Sequence, residues 1–233
     1  MIYLVPSFLA DGATETIPGY VMAAVKTCEV LFVENERTAR RFLKAMDRTI
    51  VIDDFEWHVI HKAEKEQVEI FKEGIRAGKN IAIISEAGCP GVADPGQILI
   101  AEAQKMNAEI KPLVGPSSVL LALMASGLDG QHFCFLGYLP VDHTERLKKI
   151  KQIEEESSRK KCTQIFIETP YRNNQLLETI LRHGHPSTRL CIAAEITSPQ
   201  EYIKTKSIAE WRKEKIDLHK KPVIFLLMSK KFV

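Results

Sequence analysis

The sequence predicts an α/β protein with two domains, residues 1–114 and 115–233, built on mostly parallel or mixed sheets with a ligand cleft between them. Three observations support this prediction. Short β-branched runs alternate with helical patterns along the 233 residues, which is typical of sheets covered by helices. The composition shifts near residues 117–130, where a second series of strands and helices begins. One buried strand also runs into a long turn rich in glycine and proline, where open α/β sheets place ligands.

The first half repeats a strand, a loop and a helix about five times. Each strand is a short apolar run that stops at a proline, a glycine or a charged residue. The predicted strands are 2–5, 30–33, 49–52, 81–84 and 109–114. The predicted helices are 20–26, 38–46, 62–77, 98–106 and 119–126. This order implies a mostly parallel sheet with helices on both faces.

The second half continues the alternation with longer and more charged helices. Residues 142–161 carry one apolar stripe, and the remaining charges are typical of a solvated helix face. The predicted strands are 132–137, 163–168, 190–194, 202–205 and 222–228. The predicted helices are 142–161, 173–182 and a segment that contains Trp211.

The stretch at residues 80–96, NIAIISEAGCPGVADPG, is the centre of this organisation. Its strand stops at Ser85, and the glycines and prolines that follow form a long turn with two acidic residues, Glu86 and Asp94. Glycine lets the backbone approach a ligand where a Cβ atom would clash. The turn matches neither of the common phosphate-binding glycine motifs, so the pattern alone leaves an ordinary βα loop open.

Two further turns occupy ligand-site positions. The loop SFLADGATETIPG follows the first strand, and GPSS at 115–118 precedes a helix. Free backbone N–H groups at a helix start can bind a ligand, although serines at this spacing are more often plain helix caps.

The bulk composition restricts the possible partners. The 32 Lys and Arg nearly balance the 30 Asp and Glu, so nucleic-acid binding would need a local patch. The five cysteines show no metal-ligand spacing, and we predict no metal site. Four of them lie in apolar runs or helical patterns and are predicted core fillers. An odd cysteine count without a signal-peptide pattern predicts a cytoplasmic, reducing location, and no apolar run approaches the ~20 residues of a membrane span.

Five motifs occur in a fixed order and carry a family resemblance. They are IISEAGCPGVADPG, LVGPSSVLLALMASGL, FCFLGYLP with ERLKKI, IFIETPYRNNQLLETIL and IAAEIT. The series resembles the tetrapyrrole methylase superfamily of S-adenosylmethionine-dependent methyltransferases. Within it, the sequence is most similar to the bacterial RsmI-type 16S rRNA ribose 2′-O-methyltransferases. The likeness extends from IYLVP to PVIFLLM.

The resemblance implies a methyltransferase with two α/β domains, S-adenosylmethionine in the cleft between them, a homodimer, and ribosomal RNA or the small ribosomal subunit as partner. It also implies cofactor contacts from turns in both domains. The positions that correspond to these contacts are Phe8, Leu9, Glu86, Ala87, Gly88, Cys89, Asp94, Ser118, Val119, Glu168, Thr197, Pro222 and Val223.

The chemistry that this resemblance implies needs no metal, because the sulfonium already activates the methyl group. Glu86 is a candidate to lie near the positive sulfonium. A hydroxyl acceptor would need a base, and Glu34, Glu36 and His61 lie at or near strand ends. Residues in such positions are more often solvated surface groups than bases, so the catalytic residue stays unassigned.

The sequence departs from the family pattern mainly on the presumed acceptor side. FLADGATET stands where the branch carries Asn-Leu-Gly-Asp, and residues 34–39 keep only Glu34 and Arg37 of Glu-Asp-Thr-Arg-His-Thr. Glu86 replaces an aspartate and Cys89 a threonine. Two alternatives therefore stay open: methylation of a small molecule or tetrapyrrole, and a cofactor-binding protein without turnover. The local cations that could still contact RNA are Arg37, Arg40, Arg41 and Arg172.

Overall fold

A computed structural model describes residues 1–60 and 65–229. The chain divides into two compact units, Met1–Ser117 and Ser118–Val233. The boundary expected from the sequence lay after residue 114. Each unit is built on its own five-stranded sheet.

The first unit holds a wholly parallel sheet in the order β3-β2-β4-β1-β5. The central strand β4 is buried on both faces, which its continuous β-branched run predicts. Because all five strands run the same way, their carboxyl ends lie together on one side of the sheet. We call this side the carboxyl edge, as distinct from the outermost strands β3 and β5. The strands are β1 Ile2–Val5, β2 Val30–Val33, β3 Glu56–Val59, β4 Ile81–Ile84 and β5 Ile110–Pro112.

Helices cover both faces of this sheet, as the sequence predicts. Alternate strand residues point to opposite faces, so Leu31 packs in one core with α1 and α2 while Phe32 packs in the other with α3 and α4. Asn35 caps α2 by accepting hydrogen bonds from the backbone N–H groups of Arg37 and Thr38. The helices are α1 Tyr20–Val25, α2 Glu36–Met46, α3 Val68–Arg76 and α4 Gln97–Lys105.

The predicted strand at 49–52 is wrong. The chain turns there, enters a short 3₁₀ helix at Ile52–Asp54, and forms its third strand at Glu56–Val59. That strand lies at the edge of the sheet and is only partly buried, so its sequence EWHV lacks an apolar pattern. The apolar residues before it serve packing instead, since Ile50 is buried in the core beneath α2.

Two other expectations need adjustment. The predicted helix 62–77 begins at Val68 in the described residues, and its first residues at 62–64, like His61, lie outside them. Cys134 lies on an edge strand and is exposed, so it is not a core filler, whereas Cys28, Cys162 and Cys191 are buried.

The second unit holds a mixed sheet in the order β6-β7-β10-β8-β9. Only β6 and β7 are parallel, and the other neighbours are antiparallel. Consequently the carboxyl ends of β6, β7 and β8 meet the amino ends of β9 and β10 at one edge. The strands are β6 Phe133–Tyr138, β7 Thr163–Ile167, β8 Arg189–Ala194, β9 Tyr202–Ser207 and β10 Val223–Met228. The helices are α5 Ser118–Ser126, α6 His143–Lys160, α7 Asn173–His183 and α8 Ile208–Trp211.

The core of the second unit is aromatic at its centre. The rings of Phe166 and Phe225 stack at 5.8 Å across β7 and β10. Trp211 is buried, and its indole Nε1–H donates to the carbonyl of Leu190 at 2.8 Å. These contacts fix the sheet that carries the edge turns. None of the helices in the described ranges is long and apolar enough to cross a membrane.

Candidate active site

Three turns meet at the carboxyl edge of the first sheet. They follow β1, β4 and β5, which are neighbours in the sheet. The turns after β1 and β4 are joined by two backbone hydrogen bonds, from Ser7 N to Gly88 O at 2.9 Å and from Gly88 N to Ser7 O at 3.1 Å. The buried Ser7 hydroxyl adds a third bond, to the carbonyl of Ser85 at 2.6 Å. The two turns therefore form one connected structure.

Glycine is required where the turns approach most closely. Gly88 has φ +82°, and a Cβ atom there would lie 3.3 Å from Leu9 Cδ2 and 3.6 Å from the carbonyl oxygen of Pro116. A Cβ atom on Gly115 would come closer than 3.0 Å to the ring of Pro6. The three turns thus pack against one another through bare backbone.

The turn after β4 is organised around a carboxylate and a hydroxyl. Ser85 Oγ donates to Asp94 Oδ2 and also lies 3.2 Å from the carbonyl of Ala87. Burial raises the pKa of Asp94, the bond from Ser85 opposes that shift, and the nearby charge of Glu86 adds to it. Burial and the charge of Asp94 raise the pKa of the Cys89 thiol, whose Sγ lies 3.6 Å from the Pro116 carbonyl.

The raised pKa of Asp94 predicts a pH-dependent stability. Because its folded-state pKa lies above the ordinary value, the folded state binds more protons between the two values, and stability falls as pH rises through that window. Asp94→Asn should therefore be more stable than wild type at neutral pH and lose that advantage in acid, below the ordinary carboxyl pKa. Urea denaturation at both pH values measures the difference, with the exposed Asp53→Asn as control. A variant that is less stable than wild type at neutral pH would contradict this origin of the shift.

The other first-unit candidates differ in exposure. Glu86 is exposed at the sheet edge and accepts a hydrogen bond from Thr38 Oγ1 at 2.9 Å, so the start of α2 holds it in place. Ala87 is also exposed.

The two candidates in the loop after β1 face the protein. Phe8 packs its ring against Phe42, with centroids 5.3 Å apart, which makes it largely a core residue. Leu9 is the side chain of that loop that reaches Gly88.

The candidate bases do not stand out. Glu36 is bonded to Arg40 one turn later in α2, with Oε1 at 2.7 Å from Nη2, so it forms a surface ion pair. Glu34 is partly buried at the end of β2. No catalytic residue is assigned from this geometry.

The second-unit candidates gather at one sheet edge. Glu168 follows β7, Thr197 lies in the turn after β8, and Pro222 and Val223 lead into β10, which lies between those two strands. Val223 is buried and is the register partner of Ala194. The carbonyl of the exposed Pro222 accepts the backbone N–H of Glu195 at 2.9 Å, which joins two of the turns.

Two of these residues carry buried polar atoms that have no hydrogen-bond partner in the described part of the chain. Glu168 is buried, and its Oε1 accepts from Thr169 N at 2.6 Å and from Arg172 Nη2 at 2.7 Å. Its Oε2 is buried with no hydrogen-bond partner among the described residues, and the same holds for Thr197 Oγ1. Buried polar atoms without a partner are costly and rare, so each one requires an explanation.

The backbone at Thr197 is also strained. Its φ is +68°, a left-handed conformation that β-branched residues seldom adopt. The carboxylate of Glu201 accepts the Thr197 N–H at 2.8 Å and holds the turn. Strained backbone of this kind is concentrated at ligand-binding positions, so the left-handed φ of Thr197 supports the hypothesis that this turn contacts a ligand.

The remaining candidates, Ser118 and Val119, are the first two residues of α5, and Val119 is buried. Sequence reasoning did not find the roles of Ser7 and Ser85 in joining the turns. The available signal was a serine within two residues of the end of a buried parallel strand, Ser7 after Val5 and Ser85 after Ile84. Within residues 1–60 and 65–229, no three His, Cys, Asp or Glu side chains are grouped to hold a metal ion.

Comparison with known proteins identifies the family. The family model of Tetrapyrrole (Corrin/Porphyrin) Methylases matches residues 9–211. The chain therefore belongs to the tetrapyrrole methylase family, which confirms both the resemblance and the α/β fold class predicted from the sequence.

Within the family, curated relatives carry a more specific name. The chain is 30% identical over 210 residues to "Ribosomal RNA small subunit methyltransferase I" of Vibrio cholerae serotype O1, covering 90% of this chain and 69% of the relative. It is 34% identical over 169 residues to the protein of that name from Buchnera aphidicola subsp. Schizaphis graminum, covering 71% of this chain and 58% of the relative. The chain thus spans 58% to 69% of the length of these two relatives.

Solved structures support the fold. A methyltransferase described as CobJ superposes with a TM-score of 0.62 at 17% identity, covering 92% of this chain and 89% of that one. A diphthine synthase superposes with a TM-score of 0.67 at 14% identity, covering 100% and 91%. At these identities the likeness shows the shared fold alone.

Proposed function

We propose that the chain is an S-adenosylmethionine-dependent methyltransferase that acts on RNA of the small ribosomal subunit, with a ribose 2′-hydroxyl as acceptor. The names of the curated relatives support the substrate class. The observation that carries the cofactor assignment is a pair of buried atoms, Glu168 Oε2 and Thr197 Oγ1, for which residues 1–60 and 65–229 offer no hydrogen-bond partner. Both belong to residues that the resemblance assigns to the cofactor, and a bound nucleoside would give each atom a partner.

The donor set suits this cofactor. A carboxylate oxygen such as Glu168 Oε2 accepts hydrogen bonds from ribose hydroxyls, and a threonine hydroxyl can donate or accept. The bare backbone at Gly88 lets the turns of the first unit pack closely against Leu9 and Pro116, which fixes the frame of the site. When bound, S-adenosylmethionine supplies a methyl group already activated by a positive sulfonium.

The first unit has a chemical part in the proposal. Glu86 places an exposed negative charge at the sheet edge, which favours a nearby cation, and Thr38 fixes its direction. The turns of the first unit would orient the cofactor, and water would be excluded as the acceptor binds. The cleft between the two domains, with cofactor contacts from both, stays a prediction of the resemblance.

A second candidate is methylation of a small molecule or tetrapyrrole. It is favoured by the changed acceptor-side sequence, where residues 34–39 keep only Glu34 and Arg37 of the usual series. The third candidate, a cofactor-binding protein without turnover, rests on the same changes. A homodimer, which the resemblance implies, and a cytoplasmic location, which the cysteine pattern favours, complete the proposal, and sedimentation equilibrium would test the dimer.

Methyl transfer to isolated ribosomal subunits tests the substrate. Small subunits from a strain that lacks its own copy of the relative should accept labelled methyl from S-adenosylmethionine, and subunits from the parent strain should not. Nuclease digestion should then recover the label in a 2′-O-methyl nucleotide. Label on a tetrapyrrole but not on RNA would favour the second candidate, and cofactor binding without transfer to either would favour the third.

A further inference from the structure

Two exposed tyrosines lie at the sheet edge that carries Glu168. Tyr138 ends β6 and is 58% exposed, and Tyr171 lies in the turn after β7 and is 70% exposed. The two strands are parallel neighbours, with Tyr138 in register with Ile167. The ends of these adjacent strands therefore each present one exposed aromatic ring on the same side of the sheet.

The backbone beneath Tyr171 is firmly held. The carbonyl of Pro170 accepts the N–H of Lys220 at 3.0 Å, and Asn173 Nδ2 donates to the carbonyl of Lys221 at 2.7 Å. The turn after β7 is thus fastened on both sides of Tyr171 to the segment before β10. A ring displayed on a fixed backbone loses little conformational freedom when it binds a partner.

The groups beside these rings suit nucleobases. The His219 ring meets Tyr171 edge-on, with centroids 5.9 Å apart, and Lys220 is exposed next to it. Aromatic side chains that stack on unpaired bases are the usual means of binding single-stranded RNA.

The cations beside this surface are already paired with carboxylates. Arg172 is paired with Glu168 at 2.7 Å and Lys221 with Glu195 at 3.1 Å. Phosphate attraction is therefore modest here, and stacking is the larger contribution.

We infer that Tyr171, Tyr138 and His219 form a stacking surface for unpaired bases of the RNA that carries the methyl acceptor. This inference rests on the proposed function and specifies the form of its substrate. A regular duplex buries its base faces, so the surface recognises a single-stranded or locally opened segment. Its position at the edge that also carries Glu168 places base recognition beside the cofactor candidates of this unit.

Fluorescence anisotropy with a labelled single-stranded RNA of about 12 nucleotides, in the presence of S-adenosylhomocysteine, tests the surface. Tyr171→Ala should weaken binding about 5- to 150-fold, the loss expected for one stacked base. Tyr171→Phe keeps the ring and should bind within about twofold of wild type. The duplex of the same sequence should bind more weakly than the single strand. With so few phosphate contacts, a fourfold rise in salt should weaken binding by less than about tenfold.

The matched control is Phe133→Ala. Phe133 is 40% exposed, but it is the first residue of β6 and Tyr138 is the last, so the two lie at opposite ends of the same strand. Replacement of Phe133 should therefore leave RNA binding unchanged. Tyr171→Ala should also bind S-adenosylhomocysteine as wild type does and keep the same melting temperature, because an exposed side chain leaves no cavity.

The inference is overturned if Tyr171→Ala binds the RNA as wild type does, if Tyr171→Phe loses as much affinity as the alanine variant, or if the duplex binds as tightly as the single strand. It is also overturned if wild type binds the cofactor but no RNA. Failure of the proposed function is measured separately, because wild type would then bind no S-adenosylhomocysteine or would transfer no methyl group to isolated small subunits.

Discussion

Replacing Glu168 with glutamine is expected to lower the affinity for S-adenosylmethionine about 10- to 100-fold while the protein stays folded. The amide oxygen can still accept from Thr169 N and Arg172 Nη2, which keeps the turn in place. The position of Oε2 then becomes an N–H donor, and the charge-assisted bond to a ligand hydroxyl is lost. Such a bond contributes about 1.5–3 kcal/mol, which sets the expected range.

Calorimetric titration measures the change in affinity for S-adenosylmethionine, and two further variants serve as comparisons. Glu168→Ala also removes the partner of Arg172, whose side chain is 35% exposed and can turn toward water, so we expect about 1–3 kcal/mol of lost stability as well. Glu178→Gln changes an exposed glutamate on α7 that pairs with Arg182 at 3.8 Å, and it should alter neither quantity. Unchanged cofactor affinity in Glu168→Gln would show that Oε2 does not contact the ligand.

Replacing Gly115 with alanine is expected to destabilise the first unit by about 1–3 kcal/mol. The added Cβ atom would lie closer than 3.0 Å to the ring of Pro6, a separation that real Cβ atoms essentially never show. Pro6 is buried and directly precedes Ser7, so it cannot yield without moving the joined turns. Cofactor affinity should therefore fall together with stability.

Guanidinium denaturation gives the stability change, with Gly19→Ala as the matched control. A Cβ atom on Gly19 meets nothing within 4 Å, so that variant should be neutral or slightly stabilised. Wild-type stability in Gly115→Ala would contradict the close contact of the turns after β1 and β5. Lost stability with unchanged cofactor affinity would separate that contact from the binding site.

The buried parts of the fold could be predicted from the sequence, and the exposed edges could not. The strands 30–33 and 81–84 were predicted with their observed bounds because β-branched runs buried on both faces have few alternatives. The edge strand Glu56–Val59 was missed because a half-exposed strand carries polar residues like those of a loop. The exposure of Cys134 was missed for the same reason, since strand order decides which strand has an open edge.

The candidate site was predictable as a set of turns but not in its internal contacts. The glycine-rich turn at 80–96 predicted a close backbone approach to a ligand, whereas the close neighbours of Gly88 in the structure are Leu9 and Pro116 of the adjoining turns. The pairing of Ser7 with Gly88 joins segments far apart in the chain, and no local pattern specifies it. The positive φ of Thr197 depends on the surrounding packing, and so does the lack of a partner for Glu168 Oε2 among the residues that the structure describes. Residue types alone reveal neither.

Titration of S-adenosylhomocysteine into the wild-type protein in a calorimeter is the most direct measurement of whether these turns hold the methyl donor. We predict one site per chain with a dissociation constant between about 1 µM and 1 mM, the usual range for enzyme substrates. The same titration of Glu168→Gln should show the weaker binding derived above. A wild-type protein that gives no binding heat and carries no cofactor through purification would contradict the assignment.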